Sequence, residues 1–259
     1  MTSLLVKFGY IGWLYTGFQK GNGSSSIEDT ILKVLIDEGI SDKLNSAART
    51  DRGVSALGNV IKIETEEKPE KILGILNHEI RGMLFHSWAE AEDGMNARHC
   101  DSKTYRYILP RNMILEKEEN FERIMRKFVG THDFINFCRK DARNTVRTVN
   151  SMKFHKERSF LTIDITGKSF LWNQIRIMIA YALKNSPSDG NIDPFELDSR
   201  FPAISMSDSL ILLDVFYKDK KFKKYLNRSK IETFKDMINK SSMQARIFEQ
   251  FNSILKQIK

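Results

Sequence analysis

The sequence has few of the features that mark secreted, metal-binding or membrane proteins. Its two cysteines, Cys100 and Cys138, are too few for a disulfide framework and do not form a C-x-x-C motif. Adding His99 and His132 to them matches no standard zinc spacing. No apolar run approaches the roughly 20 residues that span a bilayer, and Lys7 interrupts the first apolar stretch too early for a secretory signal. We therefore expect a cytoplasmic protein without metal or membrane contact.

The composition is that of a folded globular protein whose charge is concentrated at one end. The chain has 259 residues, 41% of them hydrophobic, which allows one large core or two ordinary ones. The net charge is +8, and residues 218–259 hold 12 basic against 4 acidic residues, so the rest of the chain is neutral. This basic tail is expected either to contact a polyanion such as nucleic acid or to be a solvated helix with lysines for solubility.

The most informative segment is residues 48–60, in which a carboxylate stands between two cations. Asp51 lies between Arg49 and Arg52, and two glycines follow. Apolar runs on both sides predict strands, so Asp51 is expected on the loop between them. Such a carboxylate could be catalytic, could cap a turn, or could form a surface ion pair of small energetic value. The segment alone leaves these three interpretations open.

The hydrophobic pattern alternates strands and helices over two halves of related character. In the first half it predicts strands over residues 4–10, 44–48, 59–65 and 83–91, with helices that begin near Ser26 and Pro69. In the second half it predicts strands over residues 104–109, 146–155, 160–166 and 210–217, helices over 121–129 and 170–183, and a surface connection over 186–202. We therefore expect an α+β fold with domains at residues 1–100 and 101–217, a cleft between them, and a helical tail over 218–259.

Five segments in the same order resemble the TruA family of tRNA pseudouridine synthases, in the form seen in archaeal and eukaryotic relatives. They are Y-x-G-x-x-Y-x-G-F-Q at residues 10–19, R-T-D-x-G-V-x-A-x-G-x-V at 49–60, A-R and K-T-Y-R-Y within 97–107, G-T-H-D-F-x-x-F-C at 130–138, and S-F-L-W-N-Q-I-R-x-M at 169–178. The resemblance covers residues 4 to about 217 and leaves the basic tail unmatched. Five segments in register are far more specific than any one of them.

The resemblance implies a fold, an activity and a partner. The fold is α+β, with two ferredoxin-like α/β halves joined through a continuous mixed, mostly antiparallel sheet and a central RNA-binding cleft. The activity is isomerisation of uridine to pseudouridine in tRNA, in the anticodon stem-loop at tRNA positions 38–40. The reaction needs no cofactor, because no atom is gained or lost. Bacterial relatives work as homodimers, so a homodimer is also expected.

The resemblance also assigns roles to five residues of this sequence. Asp51 matches the catalytic aspartate, and Arg49 matches an arginine that helps turn the target nucleotide out of its stack. Tyr105 matches the tyrosine that packs on the flipped base, and Leu210 matches an apolar residue that lines the pocket. Arg176 matches the helix arginine that pairs with the aspartate, so we expect an Asp51–Arg176 ion pair. Without the resemblance, Tyr105 and Leu210 would be read as core residues and Arg49 as a surface arginine.

Some residues depart from the family pattern, and two other functions stay open. Arg52, Ser55 and Ala180 differ from the usual family residues, which puts the choice of uridine in doubt and leaves Arg52 without a part in the chemistry. A non-catalytic RNA-binding protein with a ferredoxin-like sheet is the main alternative, although binding alone has no use for a buried carboxylate. A metal-dependent nuclease would gather several carboxylates, and no such cluster accompanies Asp51.

Overall fold

The fold is described from a computed structural model that covers residues 2–21, 25–139, 144–187 and 192–258, with side chains up to residue 248. The first half contains β1 (Thr2–Tyr10), α1 (Ile27–Asp37), β2 (Asn45–Ser46), β3 (Ser55–Thr65), α2 (Pro69–Glu79) and β4 (Met83–Ala91). The second half contains β5 (Ser102–Pro110), α3 (Glu118–Arg126), β6 (Gly130–Asp133), β7 (Val146–Lys156), β8 (Phe160–Gly167), α4 (Gln174–Asn185) and β9 (Leu210–Phe216). The tail forms β10 (Lys223–Lys224) and α5 (Arg228–Ile258).

All ten strands belong to one continuous sheet that runs through both halves. The strand order is β10-β4-β1-β3-β9-β5-β8-β7-β6, with β2 paired to the free part of β3. Every pairing is antiparallel except the one between β3 and β9, which is parallel and joins the halves. This observation confirms the predicted α+β class and the mixed, mostly antiparallel sheet. The first half also contains the β-α-β-β-α-β order, although β2 has only two residues.

The join between the halves depends on a close approach at Gly58. A Cβ atom placed on Gly58 would lie 2.8 Å from the carbonyl oxygen of Leu213 and 2.8 Å from Asp214 Oδ1, so only glycine fits without displacing β9. The side chains of β9 then serve both halves. Leu212 belongs to the apolar core of the first half, and Leu210 belongs to the core of the second. The sheet and its two cores are therefore connected through one strand.

The two cysteines lie in different cores. Cys100 is buried in the core of the first half and Cys138 in that of the second, and the two form no disulfide with each other. Burial raises the pKa of the Cys100 thiol. Within the described ranges, no helix combines the length and the apolar character needed to cross a membrane.

The predicted elements are mostly present, but several boundaries were wrong. The helix predicted over residues 170–183 begins only at Gln174, because Asn173 adopts a left-handed backbone with φ 63° that no helix continues through. The strand predicted from residue 59 begins at Ser55, and the helix predicted over 121–129 is α3 at Glu118–Arg126. The short strands β6 and β10 were not predicted, and residues 188–191 of the predicted connection lie outside the described ranges.

Candidate active site

Asp51 lies on the loop between β2 and β3, at an open pocket of about 480 Å³. The loop reaches this position from the first half of the sheet, whereas much of the opposite wall comes from the second half. The pocket is lined by Trp13, Asp51, Arg52, Gly53, Arg139, Trp172, Asn173, Arg176, Ser207 and Asp208. The pocket therefore combines two aspartates, three arginines and two tryptophans, drawn from both halves.

The predicted ion pair between Asp51 and Arg176 is present. Arg176 Nη1 lies 3.4 Å from Asp51 Oδ2, and the two side chains are 15% and 31% exposed. Arg176 is itself fixed by its neighbours, because Nε donates to the Ser205 carbonyl at 2.8 Å and Nη1 also donates to Asn173 Oδ1 at 3.2 Å. An arginine held by Ser205 and Asn173 therefore presents a fixed cationic donor to Asp51 and orients its carboxylate.

The other carboxylate oxygen of Asp51 has a partner that sequence reasoning missed. Trp172 Nε1 donates to Asp51 Oδ1 at 2.9 Å. The indole ring is 43% exposed, and the guanidinium of Arg139 lies 4.3 Å from its centroid. The sequence signal that could have identified Trp172 was its place in residues 169–178, a segment that resembles the family pattern. Its apolar neighbours, however, led to its placement inside a helix.

A buried hydrogen-bond network holds the loop just before Asp51. The Tyr10 hydroxyl and Thr50 Oγ1 lie 2.7 Å apart, and Asn59 Nδ2 donates to the Ala48 carbonyl at 2.9 Å and to the Tyr10 hydroxyl at 3.3 Å. Burial raises the pKa of Tyr10 far above its ordinary value, so its hydroxyl stays protonated and can donate. Because these groups are buried and mutually satisfied, they give the loop one preferred geometry.

Two glycines allow close approaches around the loop. A Cβ on Gly12 would lie 2.2 Å from the Val54 carbonyl oxygen, and a Cβ on Gly53 would lie 2.0 Å from Asp208 Oδ1. Gly53 also has φ +88°, a left-handed conformation that side chains disfavour. The loop can therefore pack against both walls of the pocket only because these positions lack side chains.

Tyr105 lies at the boundary between the two cores, close to the loop that carries Asp51. Its ring meets the ring of Phe170 edge to face, with centroids 5.5 Å apart. Burial is the main cause that raises the pKa of Tyr105, and the nearby carboxylate of Asp51 raises it further. Its hydroxyl is therefore neutral at neutral pH. The proximity to Asp51 agrees with the position that the resemblance implies, whereas the role stays a prediction.

The structure does not bring Arg49 and Leu210 to the wall of this pocket. Arg49 is exposed, and its Nη1 lies 3.5 Å from Gln19 Oε1. Leu210 is buried at the start of β9, opposite Tyr107 of β5. Arg52, which sequence reasoning had set aside, does line the pocket.

The charges and the aromatic side chains that line the pocket suit an anionic ligand with aromatic rings. Its three arginines are Arg52, Arg139 and Arg176, and the exposed rings of Trp13 and Trp172 offer flat surfaces for stacking. Over the described part of the chain, no group of three or more His, Cys, Asp or Glu residues is placed to hold a metal ion. The pocket can therefore present one oriented carboxylate to a ligand that cations and aromatic rings hold in place.

The comparisons with known proteins agree on one family. A family model described as tRNA pseudouridine synthase matches residues 124–198. The tRNA pseudouridine synthase A of Thermoplasma acidophilum is 42% identical over 226 residues, which cover 86% of this chain and 87% of that protein. The enzyme of the same name from Thermoplasma volcanium is 45% identical over 84% of this chain and 86% of its own length. That of Picrophilus torridus is 41% identical over 86% of this chain and 85% of its own length.

Proposed function

Because the chain belongs to the TruA family of tRNA pseudouridine synthases and is an isomerase that acts on tRNA uridine, we propose that Asp51 is its catalytic group. We propose further that its target uridines lie in the anticodon stem-loop. Arg176 orients Asp51, Tyr105 packs on the flipped uracil, Arg49 helps to displace the target nucleotide, and Leu210 supports the apolar side of the site.

The reaction explains why these side chains are needed. Uridine becomes pseudouridine when its N1–C1′ bond breaks, the free uracil turns, and C5 bonds to C1′, while a proton leaves C5 and one is gained at N1. An ionised carboxylate beside the sugar either attacks C1′ or removes the C2′ proton to give a glycal. An aromatic face such as that of Tyr105 keeps the detached uracil close while it turns. Because the reacting face is hidden in folded RNA, the nucleotide must first leave its stack.

The observation that carries this proposal is the double anchoring of one carboxylate in an open, cationic pocket. Asp51 accepts hydrogen bonds from Arg176 and Trp172 and is still 31% exposed. A protein that only binds RNA gains nothing from a fixed negative charge facing a polyanion, since like charges repel. The pocket lining, with two aspartates against three arginines, is also unsuited to the several acidic ligands of a metal-dependent nuclease.

The decisive experiment measures pseudouridine in unmodified tRNA transcripts after incubation with the purified protein. We expect Asp51→Asn, which keeps the shape of the side chain, to abolish pseudouridine formation while tRNA binding persists. Asp42→Asn is the matched control, because Asp42 is exposed on a loop outside the pocket. Persistence of full activity in EDTA separates this isomerase from a metal-dependent nuclease. Full activity of Asp51→Asn would refute the catalytic assignment.

Target position, assembly and location need their own measurements. Mapping pseudouridines in tRNA from cells that lack the protein tests the anticodon stem-loop proposal, and loss of modification only elsewhere would refute it. We also propose a homodimer, by resemblance to bacterial relatives, and a cytoplasmic location. Sedimentation of the full chain and fractionation of cells test these two proposals directly.

We propose that the basic tail gives tRNA a second contact outside the pocket. The tail is tied to the first half, because β10 pairs with β4 and the buried Lys230 Nζ donates to the Ile80 carbonyl. Burial lowers the pKa of Lys230, with a smaller effect from Arg81. Beyond this anchor, the side chains of α5 from residue 238 to 248 are exposed. A fixed base with an exposed, positively charged continuation suits contact with an RNA backbone.

The salt dependence of tRNA binding tests the role of the tail. We expect replacement of Lys240 and Arg246 by glutamine to weaken binding at low salt. The slope of log K against log salt should fall by about 0.7 to 0.9 for each phosphate contact that is lost. Lys33→Gln is the control, since Lys33 is exposed on α1 outside the tail. An unchanged slope would mean that the tail only adds solubility.

A further inference from the structure

Trp172 is placed to act on the catalytic carboxylate, beyond any role in contacting RNA. Its indole N–H donates to Asp51 Oδ1 at 2.9 Å, whereas the ion pair with Arg176 at Oδ2 is longer, at 3.4 Å. The shorter contact to Asp51 is therefore the one made by a neutral aromatic side chain. A donor fixed on a charged oxygen both favours the charged form and limits rotation of the carboxylate.

The indole is held in this position from three directions. Arg139 N–H donates to the Trp172 carbonyl at 3.0 Å, and the Arg139 guanidinium lies 4.3 Å from the ring centroid. Asn173, the next residue, has φ 63° and stands just before the start of α4, so the turn that presents the ring is set by the backbone. Because the backbone and the ring of Trp172 are both restrained, its side chain loses little conformational entropy when its N–H binds Asp51.

The contact leaves Asp51 able to react. A carboxylate offers about four lone-pair positions, so one hydrogen bond on each oxygen leaves a free position on each for the sugar. With Oδ1 held by Trp172 and Oδ2 held by Arg176, the plane of the carboxylate is defined by two donors from the second half. Asp51 itself belongs to the first half, so its orientation depends on a part of the chain 121 residues away.

We propose that Trp172 is a positioning residue that orients Asp51 for the reaction through its indole N–H. The inference rests on the proposed catalytic role of Asp51. The Trp172 ring can also stack on RNA, but stacking needs only the face of the ring and not the N–H. Phenylalanine keeps the ring and lacks the donor, so Trp172→Phe separates the two functions.

A spectroscopic measurement tests the contact independently of activity. The chain has three tryptophans, Trp13, Trp88 and Trp172, and the intact protein should give three indole N–H signals. The Trp172 signal is the one that disappears in Trp172→Phe. In Asp51→Asn, we expect this signal to move, because its acceptor loses a full charge, while the Trp88 signal stays in place as an internal control.

Kinetics on the full chain test the consequence. We expect Trp172→Phe to lower the single-turnover rate of pseudouridine formation about tenfold, with KM changed less than about twofold. A ring that only stacked on RNA would instead raise KM and leave the single-turnover rate unchanged.

Trp13→Phe is the matched comparison, because Trp13 lines the same pocket and its indole makes no hydrogen bond among the described residues. Its effect should fall mainly on KM. The proposal is overturned if Trp172→Phe changes only KM, or if the Trp172 signal does not move in Asp51→Asn. Failure of the wild-type protein to modify any tRNA would instead refute the proposed function. The indole N–H signals would still show whether Trp172 is hydrogen-bonded to Asp51.

Discussion

Replacing Asn59 by alanine tests how firmly the loop that carries Asp51 must be held. Asn59 is fully buried and makes three hydrogen bonds, to the Ala48 carbonyl, to the Tyr10 hydroxyl and from the Val60 N–H. At about 1 kcal/mol for each bond, Asn59→Ala should lower the free energy of unfolding by about 3 kcal/mol. The freed loop should also misplace the carboxylate of Asp51.

Asn77 provides a matched control within the same half. It is 3% exposed and bridges backbone groups in the same manner, since Nδ2 donates to the Phe85 carbonyl at 2.8 Å and Oδ1 accepts from the Phe85 N–H at 3.0 Å. Asn77→Ala should therefore cost about 2 kcal/mol. It lies on α2, away from the residues that line the pocket, so the rate per folded molecule should not change.

The assay combines urea unfolding with single-turnover pseudouridine formation, under conditions in which both variants are folded. We expect a loss of about tenfold or more in the rate of Asn59→Ala, because small displacements of a reacting group cost large factors in rate. Equal rates for the two variants would refute the conclusion that the buried network positions Asp51. A loss of stability in Asn77→Ala alone would refute the bond count.

Three further predictions concern other positions. Gly12→Ala should lower the free energy of unfolding by more than about 2 kcal/mol, because its Cβ would lie 2.2 Å from the Val54 carbonyl oxygen. Gly74→Ala within α2 should change it by less than about 1 kcal/mol, because the gain in helix propensity is offset by a contact of 3.3 Å with the Tyr225 hydroxyl. Urea unfolding measures both variants, and equal losses would contradict this reasoning. Tyr105→Phe should keep most of the single-turnover activity, whereas Tyr105→Leu should lose it. Burial raises the pKa of the Tyr105 hydroxyl and keeps it neutral, so the ring is the part that packs on the uracil. Equal losses in the two variants would assign a role to the hydroxyl. Burial lowers the pKa of His86 below its ordinary value of 6.5. Between the folded-state pKa and 6.5 the unfolded chain binds more protons than the folded chain, so the free energy of unfolding should decrease as the pH falls through that range. His86→Gln should flatten this dependence in urea titrations, and an unchanged slope would contradict the assignment.

The ion pair at the candidate site could be predicted because both partners carried a chemical signal. Asp51 lay in a segment that resembles a family signature, and Arg176 lay in an apolar helix where an arginine needs an anionic partner. That combination paired two residues 125 positions apart, and the structure contains the pair. The roles of Arg49, Tyr105 and Leu210 and the domain boundaries stay predictions.

Trp172 could not be predicted as a partner of Asp51, because the hydrophobic pattern of the sequence does not show where the backbone becomes left-handed. The apolar run from residue 170 continues without a break into α4, so periodicity indicated one helix. Only the left-handed conformation of Asn173 separates Trp172 from that helix and turns it toward the pocket. The place of β9 between β3 and β5 is likewise a property of the whole topology.

The parallel pairing of β3 with β9 also has a consequence for synthesis of the chain. β3 is complete at residue 65, but its neighbour β9 spans Leu210–Phe216, so about 145 further residues must be made before this pair can form. Until then, part of β3 is an open edge next to the Asp51 loop, and open edges promote pairing between chains. A ribosome that stalls before residue 210 would therefore release an inactive, aggregation-prone fragment. Activity of this enzyme thus requires translation to continue past the end of β9 at residue 216.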